Sequence, residues 1–435
     1  SHRVMATAAA HHAMTAGSII LVDATRGVDG EAPLSRLTPD ALFPESETAV
    51  GGQWRGAVPV QGAPTPVQAR RWPGHCYRSP FPLSETCFLA SYSFEGLLGE
   101  PKANAPNMFG LYLVDAFGNK ELLYRDLNIA SVWPALLSPR PRPLVVEKVG
   151  FDSPPLAARG EGTYFMQNVY SSAPALPAGS VKRLRIVQVV PKSTPGINNP
   201  TVGLANASPG KQVLGTVPVE ADGSAFFRAP AGVPLSFQAL DEHGQAVQVM
   251  RSITYLQSGE AAACVGCHEH RMTAPPLGGR ALALGREASS IRAGPDGSKP
   301  LSYPLLVQPV LDKLCVRCHS PENPKGKVIL TGEPKGRYTA SYNALAPLVP
   351  FSQWSGGDFR KANSEPLATP GFFGARGSAI MRKLLAGHED TKLGPEDIER
   401  LATWMDANAL FYGTFEPAEQ ARQQRGERIE GPRLE

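Results

Sequence analysis

Short apolar runs broken by turn residues dominate the first two thirds of the chain. Gly17-Ser18-Ile19-Ile20-Leu21-Val22-Asp23 and Gly110-Leu111-Tyr112-Leu113-Val114-Asp115 are two such runs, each ending in Val-Asp. The second continues through Gly118-Asn119 into Lys120-Glu121-Leu122-Leu123-Tyr124, a strand-turn-strand signature. Units of this type recur in β-propeller blades, so partial propeller-like blades are expected here. From about Ser180, apolar and polar positions alternate through Val190, with Leu184 and Ile186 suited to one face of a half-buried strand. Val213–Val217, Ala225–Arg228, Leu235–Leu240 and Ala246–Met250 follow, with turns at Asp222-Gly223 and His243-Gly244. Strands this short and this closely spaced predict a small β-sandwich.

Beyond a stretch rich in Pro, Gly and Arg, roughly 274–300, the period becomes helical. Leu305, Val310, Leu311 and Leu314 lead into Cys315. Ser378 to Ala386 reads as a short helix that Gly387 ends. Gly394-Pro395-Glu396-Asp397 starts the last helix, with proline in the first turn and acids at the positive dipole end. Its apolar face is Ile398, Leu401, Ala402, Met405 and Ala409. The Gln-, Arg- and Glu-rich tail after Glu416 is expected to be frayed and solvated. The fold class expected is mainly β with an α-helical C-terminal domain. Three segments are read: 1–179, propeller-like and incomplete at its start; 180–285, β-rich and sandwich-like; 286–435, helical.

Composition narrows the partners. The formal net charge is +4 with no basic run, which gives nucleic acid and membrane surfaces little to bind. No stretch approaches the length of a transmembrane helix. With 43 Gly and 42 Pro, turns and β structure are favoured over long helices.

The chemistry lies in two strings, Cys264-Val265-Gly266-Cys267-His268 and Cys315-Val316-Arg317-Cys318-His319. Cys-x-x-Cys-His is the attachment string of c-type heme: two thiols reach the vinyl groups of one porphyrin edge, and the next histidine reaches the iron. A zinc ribbon would share one ion between both cysteine pairs and leave the two histidines unexplained. Two covalently bound heme c groups are therefore expected, held by Cys264, Cys267 and His268 and by Cys315, Cys318 and His319. Such attachment takes place outside the cytoplasm in bacteria, so the chain is expected in the periplasm or beyond, processed from a longer precursor. The remaining cysteines, Cys76 and Cys87, fit a disulfide, two buried thiols or, for Cys76, a metal ligand.

Sixth ligands are less constrained. His388 is the only histidine after His319 and follows a helix end, which makes it the first choice for the second heme; Met381 and Met405 are its rivals. For the first heme, His270 and Met272 lie too close along the same segment to serve the opposite face. His11, His12, Met14 and His243 are candidates, and an open sixth position is the alternative.

Longer strings carry a family resemblance. VPVEADGSAF, PLSFQAL, MRS and CVGCHEHR resemble the middle domain of the hydrazine synthase alpha subunit family. SYPLLVQPVLDKLCVRCH, LTGEP and GHEDTKLGPEDIERLATWMD resemble that family's C-terminal cytochrome domain. The resemblance runs from about Tyr77 to Gly413. It implies a propeller, a middle domain with an open heme, and a cytochrome c domain whose iron has two histidine ligands, here His319 and His388. In the hydrazine-forming enzyme a tyrosine four residues after the motif histidine binds the first iron, and the histidine is released to zinc. This chain has Met272 at that position, so His268 is expected on the iron. The first functional reading is electron transfer between the two hemes and redox partners or other subunits. The alternative is a hydrazine-synthase-like oxidoreductase acting on a small nitrogen compound at an open first heme, and a scaffolding β protein stapled by its hemes is the third.

Overall fold

The computed structural model of the chain describes residues 2–9, 16–41, 75–95, 104–140, 142–143, 153–196, 199–267, 279–353 and 368–430. Contacts divide it into two compact units, Ser1–Val145 and Val146–Glu435. Among the described residues it is mainly β, in several open sheets, with a few short helices.

The first unit contains two antiparallel sheets. β1 (Val4–Ala8), β2 (Ser18–Val22) and β3 (Leu34–Arg36) form one; β4 (Cys76–Pro82), β5 (Cys87–Ser93), β6 (Gly110–Asp115) and β7 (Lys120–Tyr124) form a four-stranded meander. Ile19, Leu21, Tyr77, Phe88 and Val114 build their shared core. The expected hairpin is β6–β7. The Asp115 carboxylate accepts from the amides of Phe117 and Asn119 at 2.9 and 3.0 Å, and Gly118 takes φ 99°. Cys76 pairs with Ser93, at the far end of β5 from Cys87. At the rise of a strand the two thiols are roughly 20 Å apart, too far to bridge, and no disulfide joins them. Burial pushes the Cys76 thiol up to about 12, as suits a protonated, inert thiol.

The second unit is layered. After the short α1 (Pro154–Ala157) come β8 (Glu161–Met166), β9 (Arg183–Val189), β10 (Lys211–Pro218), β11 (Ala225–Pro230), β12 (Leu235–Leu240), β13 (Ala246–Val249) and β14 (Ala261–Cys264). They form a four-stranded sheet, β10-β9-β12-β13, and a three-stranded sheet, β11-β8-β14, in which β14 runs parallel to β8. Side chains alternate across the four-stranded sheet. Leu184, Ile186, Leu235, Phe237 and Ala239 turn inward against Tyr164, Met166 and Phe227 of the other sheet. The alternate positions turn outward, toward a helical layer.

That layer comprises α2 (Tyr303–Leu306), α3 (Gln308–Leu314), α4 (Ala340–Leu345), α5 (Gly374–Gly377), α6 (Ala379–Ala386), α7 (Pro395–Asp406) and α8 (Pro417–Gln424). Tyr303, Tyr342, Trp404 and Phe411 form its aromatic centre, and the Trp404 indole N–H donates to the Leu410 carbonyl at 2.9 Å. Ser378 caps α6 by accepting from the Ile380 amide. Asp397 closes the first turn of α7 by accepting from the Gly394 amide at 3.0 Å, and it also takes Lys313 of α3 at 3.1 Å. The tail differs from the solvated one expected. Gln423 is fully buried, donating to the Leu301 carbonyl and accepting from the Gly413 amide, so two backbone groups fix α8.

One buried ion pair fastens the sheet to the helices. The Arg185 guanidinium, on the outer face of β9, reaches Asp406 at the end of α7 at 3.0 Å, with both side chains almost wholly out of water. It also donates to Gln238 Oε1 and to the Gly244 carbonyl, each at 2.8 Å. Asp406 accepts in addition from the amides of Ala246 and Ala375, each at 2.9 Å. Breaking one half of such a pair strands a charge. Arg185→Met is expected to cost about 3–5 kcal/mol in urea unfolding, with much of the loss recovered in the double variant Arg185→Met/Asp406→Leu. A single variant with an unchanged midpoint would remove this role.

Candidate functional site

The two cysteine strings are mounted differently. In the second, Cys315 is the C-terminal cap of α3, with its amide on the Leu311 carbonyl at 2.7 Å. The chain then tightens, and the amides of Cys318 and His319 both return to the Cys315 carbonyl at 3.1 Å. This brings both cysteines and His319 onto one turn. The His319 carbonyl accepts from Leu330, and its Nδ1 lies 3.3 Å from the Val328 carbonyl. A carbonyl can only accept, so that contact puts the proton on Nδ1 and leaves the Nε2 lone pair for a metal. Burial pushes the Cys315 thiol up to about 11.

His388 follows Gly387, the residue that ends α6 with φ 101°. Its ring faces that of His319: the centroids are 6.1 Å apart and the planes differ by 19°. Two imidazoles each bound through one nitrogen at about 2 Å put their ring centres about 6 Å apart, with the metal between them. The pair thus has the separation of two axial ligands. The methionine rivals, Met381 and Met405, are both buried in the helical core. Leu314, Val328 and Leu384 sit half-buried at the edge of that core and supply apolar surface near the pair.

In the first string, Cys264 ends β14 in parallel register with Met166 of β8. The amide of Gln167 donates to Cys264 and that of Asn168 to Val265, which pins the strand end. A Cβ on Gly266 would lie 1.8 Å from the Ser171 carbonyl oxygen, so only glycine lets this loop approach. Beside it, between the two sheets, a cavity of about 260 Å³ is lined by Cys264, Cys267, Met166, Leu184, Phe237, Gln248 and Met250. Met166 faces it from the same sheet as Cys264, and Met250 from the opposite one. Sequence reading passed over both methionines.

His268, His270 and Met272 lie outside the described residues, as do His11, His12 and Met14. His243 sits on the exposed turn after β12 beside Glu242, away from the cavity lining. Among the described residues no three His, Cys, Asp or Glu side chains converge, so the two cysteine pairs do not share an ion.

Comparison with known proteins picks out the same region. Residues 179–269 match the model of the hydrazine synthase alpha subunit middle domain, a span that holds the whole first string. The chain resembles the hydrazine synthase alpha subunit family. Among solved structures, Kuenenia stuttgartiensis hydrazine synthase is similar, with a TM-score of 0.56 at 18% identity. The likeness covers 96% of this chain and 59% of that one, so the chain spans about three fifths of that length. At this identity the match speaks for the fold. No curated protein matches the chain.

The tight fit at Gly266 gives a direct test. Gly266→Ala must push the string away from Ser171 and is expected to cost about 1–3 kcal/mol in denaturant unfolding, together with a lower yield of heme at the first string. Unchanged stability and heme content would mean the loop has room to move.

Proposed function

We propose that the chain is a periplasmic or extracellular diheme c-type cytochrome that passes electrons between two covalently bound hemes and redox partners, as a subunit of a larger assembly. The observation that carries this reading is the His319–His388 ring pair beside Cys315 and Cys318, with the separation of two axial ligands. When bound, heme supplies a one-electron iron couple whose potential its axial ligands set. Cys315 and Cys318 hold the second heme, and the Val328 carbonyl orients His319 toward it. His388 would supply the second histidine ligand to that heme, as suits an electron relay. Cys264, Cys267 and His268 hold the first heme. In this reading 286–435 is a cytochrome c domain, β8 to β14 build the middle heme domain, and the first unit, Ser1–Val145, carries propeller-like blades.

The cavity beside Cys264 and Cys267 favours a second reading, a hydrazine-synthase-like oxidoreductase that takes a small nitrogen compound at the first heme. Met166 and Met250 decide between the two. A thioether on the iron closes the site, and its absence leaves a face open to a small molecule.

Spectroscopy separates the readings. The holoprotein is expected to give two hemes per chain by the pyridine hemochrome assay, both low-spin by EPR and unchanged by cyanide. A high-spin signal that cyanide or nitric oxide converts would favour the enzyme. His388→Ala is expected to turn one heme high-spin while leaving heme content at two per chain; an unaltered spectrum would refute the assignment of His388.

A further inference from the structure

A second cavity, of about 440 Å³, lies on the outer face of the four-stranded sheet, between it and the helical layer. Its volume is that of a small-molecule site, and neither cysteine string lines it. Strand alternation makes its floor: Val187, Val189 and Val249 point outward, as does Ser236, which pairs with Val187. Lys211 opens β10 directly opposite Val189 in register, so its side chain rises from the same face.

Among the described residues Lys211 makes no ion pair, and Arg251 lines the same cavity as a second cation. Its ammonium has three donors, and the structure gives it one acceptor, the Ala407 carbonyl at 3.3 Å. Asp406 lines the same cavity, but its carboxylate is spent on Arg185 and the amides of Ala246 and Ala375. Surrounding protein pushes the Lys211 ammonium down to about 8, the mark of a charge short of both water and partners. The Ser236 hydroxyl makes no hydrogen bond among the described residues, which leaves a second donor at the same wall.

An unbalanced ammonium above a valine floor selects a ligand with one negative group and a short apolar body. We propose that this cavity binds a small organic carboxylate, its oxygens on Lys211 and Ser236 and its carbon chain against Val187 and Val249. The ligand supplies a negative charge and covers the exposed parts of Val189 and Val249, since Val187 at the bottom of the floor is already buried. The site is independent of whether either string carries heme.

Calorimetric titration of the full-length holoprotein with acetate, butyrate, hexanoate and nitrate tests this. Affinity is expected to rise from acetate to hexanoate, and Lys211→Met is expected to weaken every carboxylate by about ten- to a hundredfold. Should Lys211→Met fail to fold, Val249→Phe keeps the ammonium and fills the floor, and it is expected to weaken hexanoate while sparing acetate. Three results would each overturn the proposal: no binding at millimolar carboxylate, equal affinity in the Lys211 variant, or nitrate binding as tightly as hexanoate, which is an adventitious anion only.

Discussion

The Arg185–Asp406 pair is the constraint on which the second unit depends. Arg185 is a large cation in the middle of a β-strand, at a position where alternation demands that it face the helical layer. Burying it there is tolerable only because five partners converge: the Asp406 carboxylate, Gln238 and the Gly244 carbonyl on the guanidinium, and the Ala246 and Ala375 amides on the carboxylate. Gln238 also donates to the Asp406 backbone carbonyl at 2.8 Å. Burial raises the Asp406 carboxyl, and the guanidinium and the two amides oppose that rise. A fully satisfied network of this kind specifies one docking of sheet on helix, since any slip leaves a charge or an amide unpaired. Apolar contacts alone would permit neighbouring arrangements.

The consequence reaches both cysteine strings. The four-stranded sheet is the shared wall of the unit: its inner face closes the cavity beside Cys264 and Cys267, and its outer face carries Arg185. Asp406 ends α7, and the start of α7 is tied through Asp397 to Lys313 on α3, the helix that delivers Cys315. Polar contacts thus run from the helix that delivers Cys315 through α7 to Arg185 on the four-stranded sheet.

Much of this was legible in the sequence, and what was not has physical reasons. The hairpin β6–β7, the strands β9 to β13 and the helices α6 and α7 follow from period and turn chemistry. β8 and β14 did not, because β14 is four residues of Ala-Ala-Ala-Cys whose pairing with β8 is parallel and distant in sequence. The buried α8 was hidden by composition: glutamine reads as solvent-facing, yet Gln423 is held by backbone groups of other segments. His388 was picked out because it is the one histidine left downstream, and its ring lies 6.1 Å from that of His319. Met250 had a usable signal in the alternation of β13, where it shares a face with Gln248.

The two strings also differ in what their supports permit. Cys315, Cys318 and His319 sit on a helix end wrapped by its own turn, with the His388 ring 6.1 Å from that of His319. Cys264 and Cys267 sit at a sheet edge beside a cavity, with soft thioether sulfurs on both walls. A sulfur ligand raises an iron potential relative to two imidazoles, so closure by Met250 would set the two centres at unequal potentials and give electron flow a direction. An open position would instead trade that bias for chemistry at the iron. The likeness to hydrazine synthase is a likeness of fold and cannot choose between these outcomes. The choice rests on the thioethers of Met166 and Met250, which line the cavity beside Cys264 and Cys267.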